Sequence, residues 1–381
     1  MTPEASLYLA GPDELTAAGV SVAGRPLALR ALMAAVRAGC SPIWVPAALR
    51  PLLADAVDAS PAARAAVAWG DAGALRPDAP LLLVPAAALA PPGALRAVVA
   101  AGSPAVLAAS RGRGAPIALV PPASARGLWD RARAGTPLGD EVEGAVAGGT
   151  EVAGGWYIRV AAPAEAPAAE DSLYGTLGSP IDTRLDRVFH RRLSRPVSRL
   201  AVRWGVCPNH VTLASLVVGI AAAWCFWDAT PARAVVALAL YAAAVVLDHA
   251  DGEVARLTLT ESRFGERLDV VVDTVVHVLL VLALGTTAQH AAGGGGAAGL
   301  VAAAGVVGSA AVTQRAPAGA GRAATALAAL GNRDGFYAML IAFIALRAAL
   351  PAALPALMIV IAAGCHAFWV AWLVWALQGD R

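Results

Sequence analysis

The chain is 381 residues long, 58% hydrophobic and 15% charged, with a net charge of +2. That length accommodates two domains, and so small a net charge argues against a nucleic-acid binder. All 29 basic residues are Arg, and Cys40, Cys207, Cys225 and Cys365 lie far apart without CxxC spacing, which supports neither a disulfide framework nor a zinc site.

Residues 1–160 read as an α/β domain with a mostly parallel sheet. Candidate strands are Leu7–Ala10, Pro42–Val45, Pro80–Val84, Ala105–Ala108, Pro116–Val120 and Trp156–Val160, with Ala/Leu/Arg-rich helices such as 26–38 and 92–101 between them. The start, Met1-Thr2-Pro3-Glu4, has no basic segment followed by an apolar run, so this domain is expected to stay in the cytoplasm. Val22-Ala23-Gly24-Arg25-Pro26-Leu27, running into a helix that ends at Ala38-Gly39, resembles the sugar-phosphate nucleotidyltransferases. Departures from that family are clear. Leu9-Ala10-Gly11 continues as Pro12-Asp13-Glu14, Lys is absent, and Ala87 stands where the family's metal-binding Asp is expected. Without those groups a metal-bound triphosphate has little to hold it. The domain is expected to be a degenerate relative.

Residues 161–182, rich in Ala, Pro, Glu, Gly and Ser, read as a linker. Residues 183–206 space Arg184, Arg187, Arg191, Arg195, Arg199 and Arg203 three or four apart, between Leu185, Val188, Phe189, Leu193 and Leu200. A basic amphipathic stretch on the membrane surface is the expectation, split into two short helices at Pro196.

Residues 207–381 form an all-α region with six apolar segments, near 209–227, 232–255, 265–289, 296–314, 334–349 and 352–377. Its loops set the expected orientation. Arg256, Arg263 and Arg267 share one loop and Arg315, Arg322 and Arg333 another, against Arg233 and Arg347 opposite, so both termini are expected in the cytoplasm. Six transmembrane helices are therefore expected.

At the ends of the second and third segments stand Asp248, Asp251, Gly252, Ala255, Arg256, Gly265, Asp269 and Asp273. Asp248 and Asp251 are three apart and Asp269 and Asp273 four apart, so each pair shares a helix face. A buried Asp at bilayer depth costs roughly 2.5–3.5 kcal/mol, and four facing one another would repel without divalent cations. Helix capping explains one Asp at a helix start, not Asp273 well inside an apolar helix. His249 lies about 100° round the helix from Asp248 and makes a poor member of that ligand face.

The pattern D-x2-D-G-x2-A-R-x8-G-x3-D-x3-D resembles the signature of the CDP-alcohol phosphotransferases. The resemblance implies a membrane enzyme that moves a phosphoalcohol group from a CDP-linked donor, such as CDP-diacylglycerol, to an alcohol or phospho-alcohol acceptor, releasing CMP in phospholipid or polar-lipid synthesis. It further implies Mg²⁺ or Mn²⁺, two ions, on Asp248, Asp251, Asp269 and Asp273. Asp269 and Asp273 would be catalytic, with Asp273 as base, while Gly252, Ala255, Arg256 and Gly265 line the nucleotide site. Members are often homodimers. Cys207-Pro208-Asn209-His210-Val211-Thr212 resembles the family's P-N-x-x-T element, in which Asn209 and Thr212 either contact the nucleotide or cap the helix. His277 either orients Asp273 or ties to a neighbouring helix, and Asn332-Arg333-Asp334 is a helix opening or an acceptor contact. Two further functions compete. One is a bifunctional enzyme that forms CDP-inositol and couples it to inositol phosphate; the other is a non-catalytic nucleotide-sensing module.

Overall fold

Short apolar runs bounded by Pro and Gly make the strands of the first of two compact units, Met1–Thr176 and Leu177–Arg381. The structure, a computed structural model, describes residues 2–70, 73–76, 78–110, 115–153, 155–178, 182–313 and 333–379. Arg315, Arg322 and Asn332 lie outside them.

In the first unit the strands are β1 (Glu4–Tyr8), β2 (Ser21–Val22), β3 (Arg25–Pro26), β4 (Ile43–Val45), β5 (Val67–Trp69), β6 (Leu81–Pro85), β7 (Ala88–Leu89), β8 (Ala105–Leu107), β9 (Ile117–Val120), β10 (Thr150–Glu151) and β11 (Ile158–Arg159). Seven of them form one sheet in the order β10-β8-β9-β6-β1-β4-β5. It is mostly parallel, with β9 antiparallel to both β6 and β8. β1 is buried along its whole length, which suits a central strand covered on both faces. The helices Leu27–Ala38 and Pro92–Ala101 fall where the Ala/Leu/Arg pattern puts them.

Residues read as linker are partly helical. Ala166–Gly175 is a helix, and its Ala166, Ala169 and Leu173 pack with Ala17, Val22 and Leu89.

The second unit is helical. A π turn at Asp186–His190 leads into α1 (Arg191–Arg203), followed by α2 (Pro208–Phe226), α3 (Pro231–Thr258), α4 (Arg263–Ala292), α5 (Gly296–Thr313), α6 (Arg333–Ala349) and α7 (Leu354–Gly379). Pro196 does not split α1. It is exposed, so water can meet the carbonyl that its missing N–H leaves unbonded.

Starts and stops are written locally. α2 opens on Pro208 in its first turn. Thr230 caps α3 through the Arg233 amide, and Ser262 caps α4 through the Gly265 amide. α3 ends where Leu259 turns left-handed, and α4 ends at left-handed Gly293.

Among the described residues, four helical segments, in α2, α3, α4 and Pro351–Ala371, are long and apolar enough to cross a membrane, and Gly296–Val312 is a shorter apolar helix. The core among them is built on Phe226, Tyr241, Leu280, Leu284, Phe343 and Met358. Apolar helices and apolar outer faces together make this a membrane protein.

Candidate functional site

α2 packs along both α3 and α4, whereas α3 and α4 approach each other little along their lengths. The space at their shared end is a cavity of about 430 Å³. Its wall is made by the first turns of α2, the last turns of α3, the connection at 259–262 and the start of α4. Asn209, Thr212, Gly252, Ala255, Arg256 and Gly265, the six residues expected to line a nucleotide site, all line it, as do Asp251 and Asp269.

Ligand atoms of Asp248, Asp251 and Asp269 all lie within 4.8 Å of one another. Asp251 is buried, the other two half-buried. Oδ1 of Asp269 is buried without a hydrogen-bond partner. An orphaned carboxylate oxygen beside two more carboxylates is a costly arrangement unless a cation completes it, and hard oxygen donors suit Mg²⁺ or Mn²⁺. The donor set fits a divalent cation. Asp273, one turn beyond Asp269, is half-buried and near enough for its charge to reach Asp251 and Asp269, but it does not join the converging trio.

Space at the cavity depends on small residues. A Cβ on Gly265 would stand 3.2 Å from Ser262 Oγ and 3.4 Å from Asn209 Oδ1, and one on Gly252 would meet Arg256 Nη1 at 3.4 Å. Thr212 donates to Asp251 Oδ2 at 2.5 Å, so its hydroxyl serves an acidic side chain.

A second buried polar cluster lies behind the acids and has no counterpart in the sequence reading. Asp186 Oδ1 accepts from His190 Nδ1 at 2.9 Å and meets His249 Nε2 at 3.1 Å. His249 Nδ1 lies 2.9 Å from the Val245 carbonyl, and His190 Nε2 lies 2.9 Å from the Tyr337 hydroxyl. Burial favours a neutral Asp186, but these imidazoles and the Thr183 amide outweigh it and hold the carboxyl well below the usual carboxylate range. Asp186, His190 and His249 could also be grouped as metal ligands. Every ring nitrogen already faces a protein partner, so the cluster is better satisfied as a brace between the π turn, α3 and α6. His277 likewise ties helices together, with Nε2 3.1 Å from Tyr241 Oη on α3 and Nδ1 2.7 Å from the Asp273 carbonyl.

Arg191 departs from the expected surface face. It is buried and pairs with Asp182 at 2.8 Å and with Glu253 at 2.8 Å. Arg184, Arg187, Arg199 and Arg203 remain exposed, interleaved with exposed Val188, Phe189, Leu193, Leu200 and Trp204.

In the first unit, the Ala87 amide donates to Glu14 Oε1 at 3.1 Å, and Arg159 Nη2 donates to Glu14 Oε2 at 2.8 Å. A buried ion pair thus occupies the neighbourhood where a metal-binding Asp was sought.

Comparison with known proteins points the same way as the cavity. Residues 205–378 match the family model described as CDP-alcohol phosphatidyltransferase. The chain is also 40% identical over 82 residues to a protein of Mycobacterium leprae (strain TN) named CDP-diacylglycerol–serine O-phosphatidyltransferase. That match covers 22% of this chain and 26% of the relative, so the chain spans about a quarter of the length of the curated relative it matches.

Proposed function

From the match of residues 205–378 to the CDP-alcohol phosphatidyltransferase family model, we propose a membrane phosphotransferase that carries a phosphoalcohol group from a CDP-linked donor to a hydroxyl acceptor, releasing CMP. The pathway served is phospholipid or polar-lipid synthesis, with CDP-diacylglycerol as the leading donor. The observation that carries this reading is the convergence of Asp248, Asp251 and Asp269 on one cavity that Asn209, Arg256 and Gly265 also line.

Asp248, Asp251 and Asp269 would hold divalent cations, and a bound cation would neutralise a diphosphate and polarise the phosphoryl group. Arg256 pairs with diphosphate charge, and Gly252, Ala255 and Gly265 leave room for the nucleotide. Asp273, outside the converging trio, takes the proton from the acceptor hydroxyl. CMP then leaves as the hydroxyl oxygen joins phosphorus in line. Six membrane crossings with both termini cytoplasmic place the cavity at the inner face. At 28 residues α3 is about 42 Å long against a hydrocarbon core of ~30 Å, so its final turns reach the headgroup layer. The exposed arginines and apolar side chains of α1 and its approach rest on anionic lipid there.

Asp269→Asn in the full chain tests the assignment. Mg²⁺-dependent CMP release from CDP-diacylglycerol, assayed with a panel of alcohols, should vanish while the protein remains folded. Full activity in that variant would remove the site.

A further inference from the structure

Glu253 and Arg256 are three residues apart on α3, a spacing at which a helical Glu and Arg ordinarily pair. Here they do not. Glu253 is fully buried, and both its carboxylate oxygens are taken from α1: Oε1 accepts from Arg191 Nη1 at 2.8 Å and Ser194 Oγ at 2.8 Å, and Oε2 accepts from Ser198 Oγ at 2.6 Å. Arg191 is itself steadied by Asp182, which accepts from Nε at 3.0 Å and from Nη2 at 2.8 Å. Arg256 lines the cavity close enough to feel the charges of Arg191, Glu253, Glu261 and Asp182. Among the described residues its side chain enters no hydrogen bond or ion pair, and its buried Nε has no partner.

We propose that Arg191, with Ser194 and Ser198, acts as a positioning residue that holds Glu253 away from Arg256 and so keeps the Arg256 guanidinium open to an anionic ligand. This rests on the reading above, in which that ligand is the diphosphate of a CDP-linked donor. The physical logic is competition for one carboxylate. A guanidinium already neutralised by its helix neighbour would have to break that pair before binding phosphate, whereas an unpaired one offers a bidentate donor fork directly. The three donors that hold Glu253 all come from α1, upstream of the acidic motif, so the interfacial helix contributes to the nucleotide site without touching it.

The decisive contrast is between two variants that break the same ion pair. Arg191→Met frees Glu253 to neutralise Arg256; Glu253→Gln also breaks the pair but leaves nothing to neutralise Arg256. CDP is titrated calorimetrically into the full chain in detergent, with Mg²⁺ present in every arm. CDP affinity should fall roughly tenfold or more in Arg191→Met, the scale of one charge-assisted hydrogen bond. It should stay within about twofold of the parent in Glu253→Gln, and the double variant should recover. Should Arg191→Met fail to fold, Ser194→Ala/Ser198→Ala loosens the same hold without an unpaired buried charge and should weaken CDP by a few-fold. Equal losses in Arg191→Met and Glu253→Gln, without recovery in the double variant, would make this contact a structural clamp only and overturn the proposal. Arg256→Gln separates the two levels of inference. A loss of CDP affinity there supports the underlying reading, and no loss overturns that reading along with this one.

Discussion

Thr212 on α2 donates its hydroxyl to Oδ2 of Asp251 on α3 across 2.5 Å, joining the P-N-x-x-T element to the acidic cluster. A hydroxyl placed there fixes the rotamer of a carboxylate that, in the proposed site, shares a cation with Asp248 and Asp269. Thr212→Val keeps the shape and removes the donor. By the usual cost of losing a partner behind a metal ligand, apparent Mg²⁺ affinity should drop roughly 10–100-fold. Titrating Mg²⁺ into a CMP-release assay measures it, with Thr212→Ser expected to restore the parent value. An unchanged Mg²⁺ requirement in Thr212→Val would show that Asp251 is oriented some other way.

Two cysteines report on the site from outside the chemistry. Cys207 is exposed beside Pro208 and Asn209, which line the cavity, whereas Cys40 is buried and its thiol is pushed up to about 11 by desolvation. At pH 8 only roughly one Cys40 in a thousand would be thiolate, and raising the pH increases that fraction tenfold per unit. Maleimide should therefore modify Cys207 quickly and Cys40 very slowly in the folded protein. Bound CDP should slow Cys207 modification, as read by mass spectrometry of the labelled peptides. Identical Cys207 rates with and without CDP would move the nucleotide away from the start of α2.

The acidic cluster was legible because carboxylates at helical spacing share a helix face, and that spacing survives in the one-dimensional pattern of Asp248, Asp251, Asp269 and Asp273. Spacing gives a common face but not a common depth, which is why Asp273 stands apart from the trio. The hold on Glu253 was not legible. Arg191 reads as one more member of a basic stripe, and its partner lies 62 residues away. The Asp186–His190–His249–Tyr337 cluster was hidden for the same reason. His249 was correctly set off the ligand face, but its partner Asp186 comes from the π turn before α1. Long apolar runs announced the helices of the second unit, and longer strands announced most of the sheet. Two-residue strands such as β2, β3 and β7 carry too little pattern to be seen.

Gly219 on α2 sits where that helix packs against α4. A Cβ there would come within 2.5 Å of a Val276 methyl on α4. Gly219→Ala should push α2 from α4 and destabilise the membrane unit by about 1–3 kcal/mol, the usual cost of overpacking. Gly364→Ala on α7, where a Cβ meets nothing within 4 Å, is the matched control and should be near neutral. Thermal unfolding in detergent compares them; equal midpoints would mean that α2 and α4 separate without penalty.

The first unit offers a test that does not depend on lipid chemistry. Glu14 is buried with one oxygen on the Ala87 amide and the other on Arg159, which reaches it from β11 on the far side of the sequence. A carboxylate held in this way is acceptable only while its cation stays. Arg159→Met should destabilise the first unit by about 3–5 kcal/mol because it strands a buried charge, whereas Arg159→Met/Glu14→Gln, which removes both charges, should recover much of that loss. Pulse proteolysis in urea, following the fragment of residues 1–176, reads the difference. If the single variant matches the parent, Glu14 is solvated well enough to stand alone. The surroundings of Ala87 would then admit water despite this pair, and the same unit would merit a direct search for nucleotide binding.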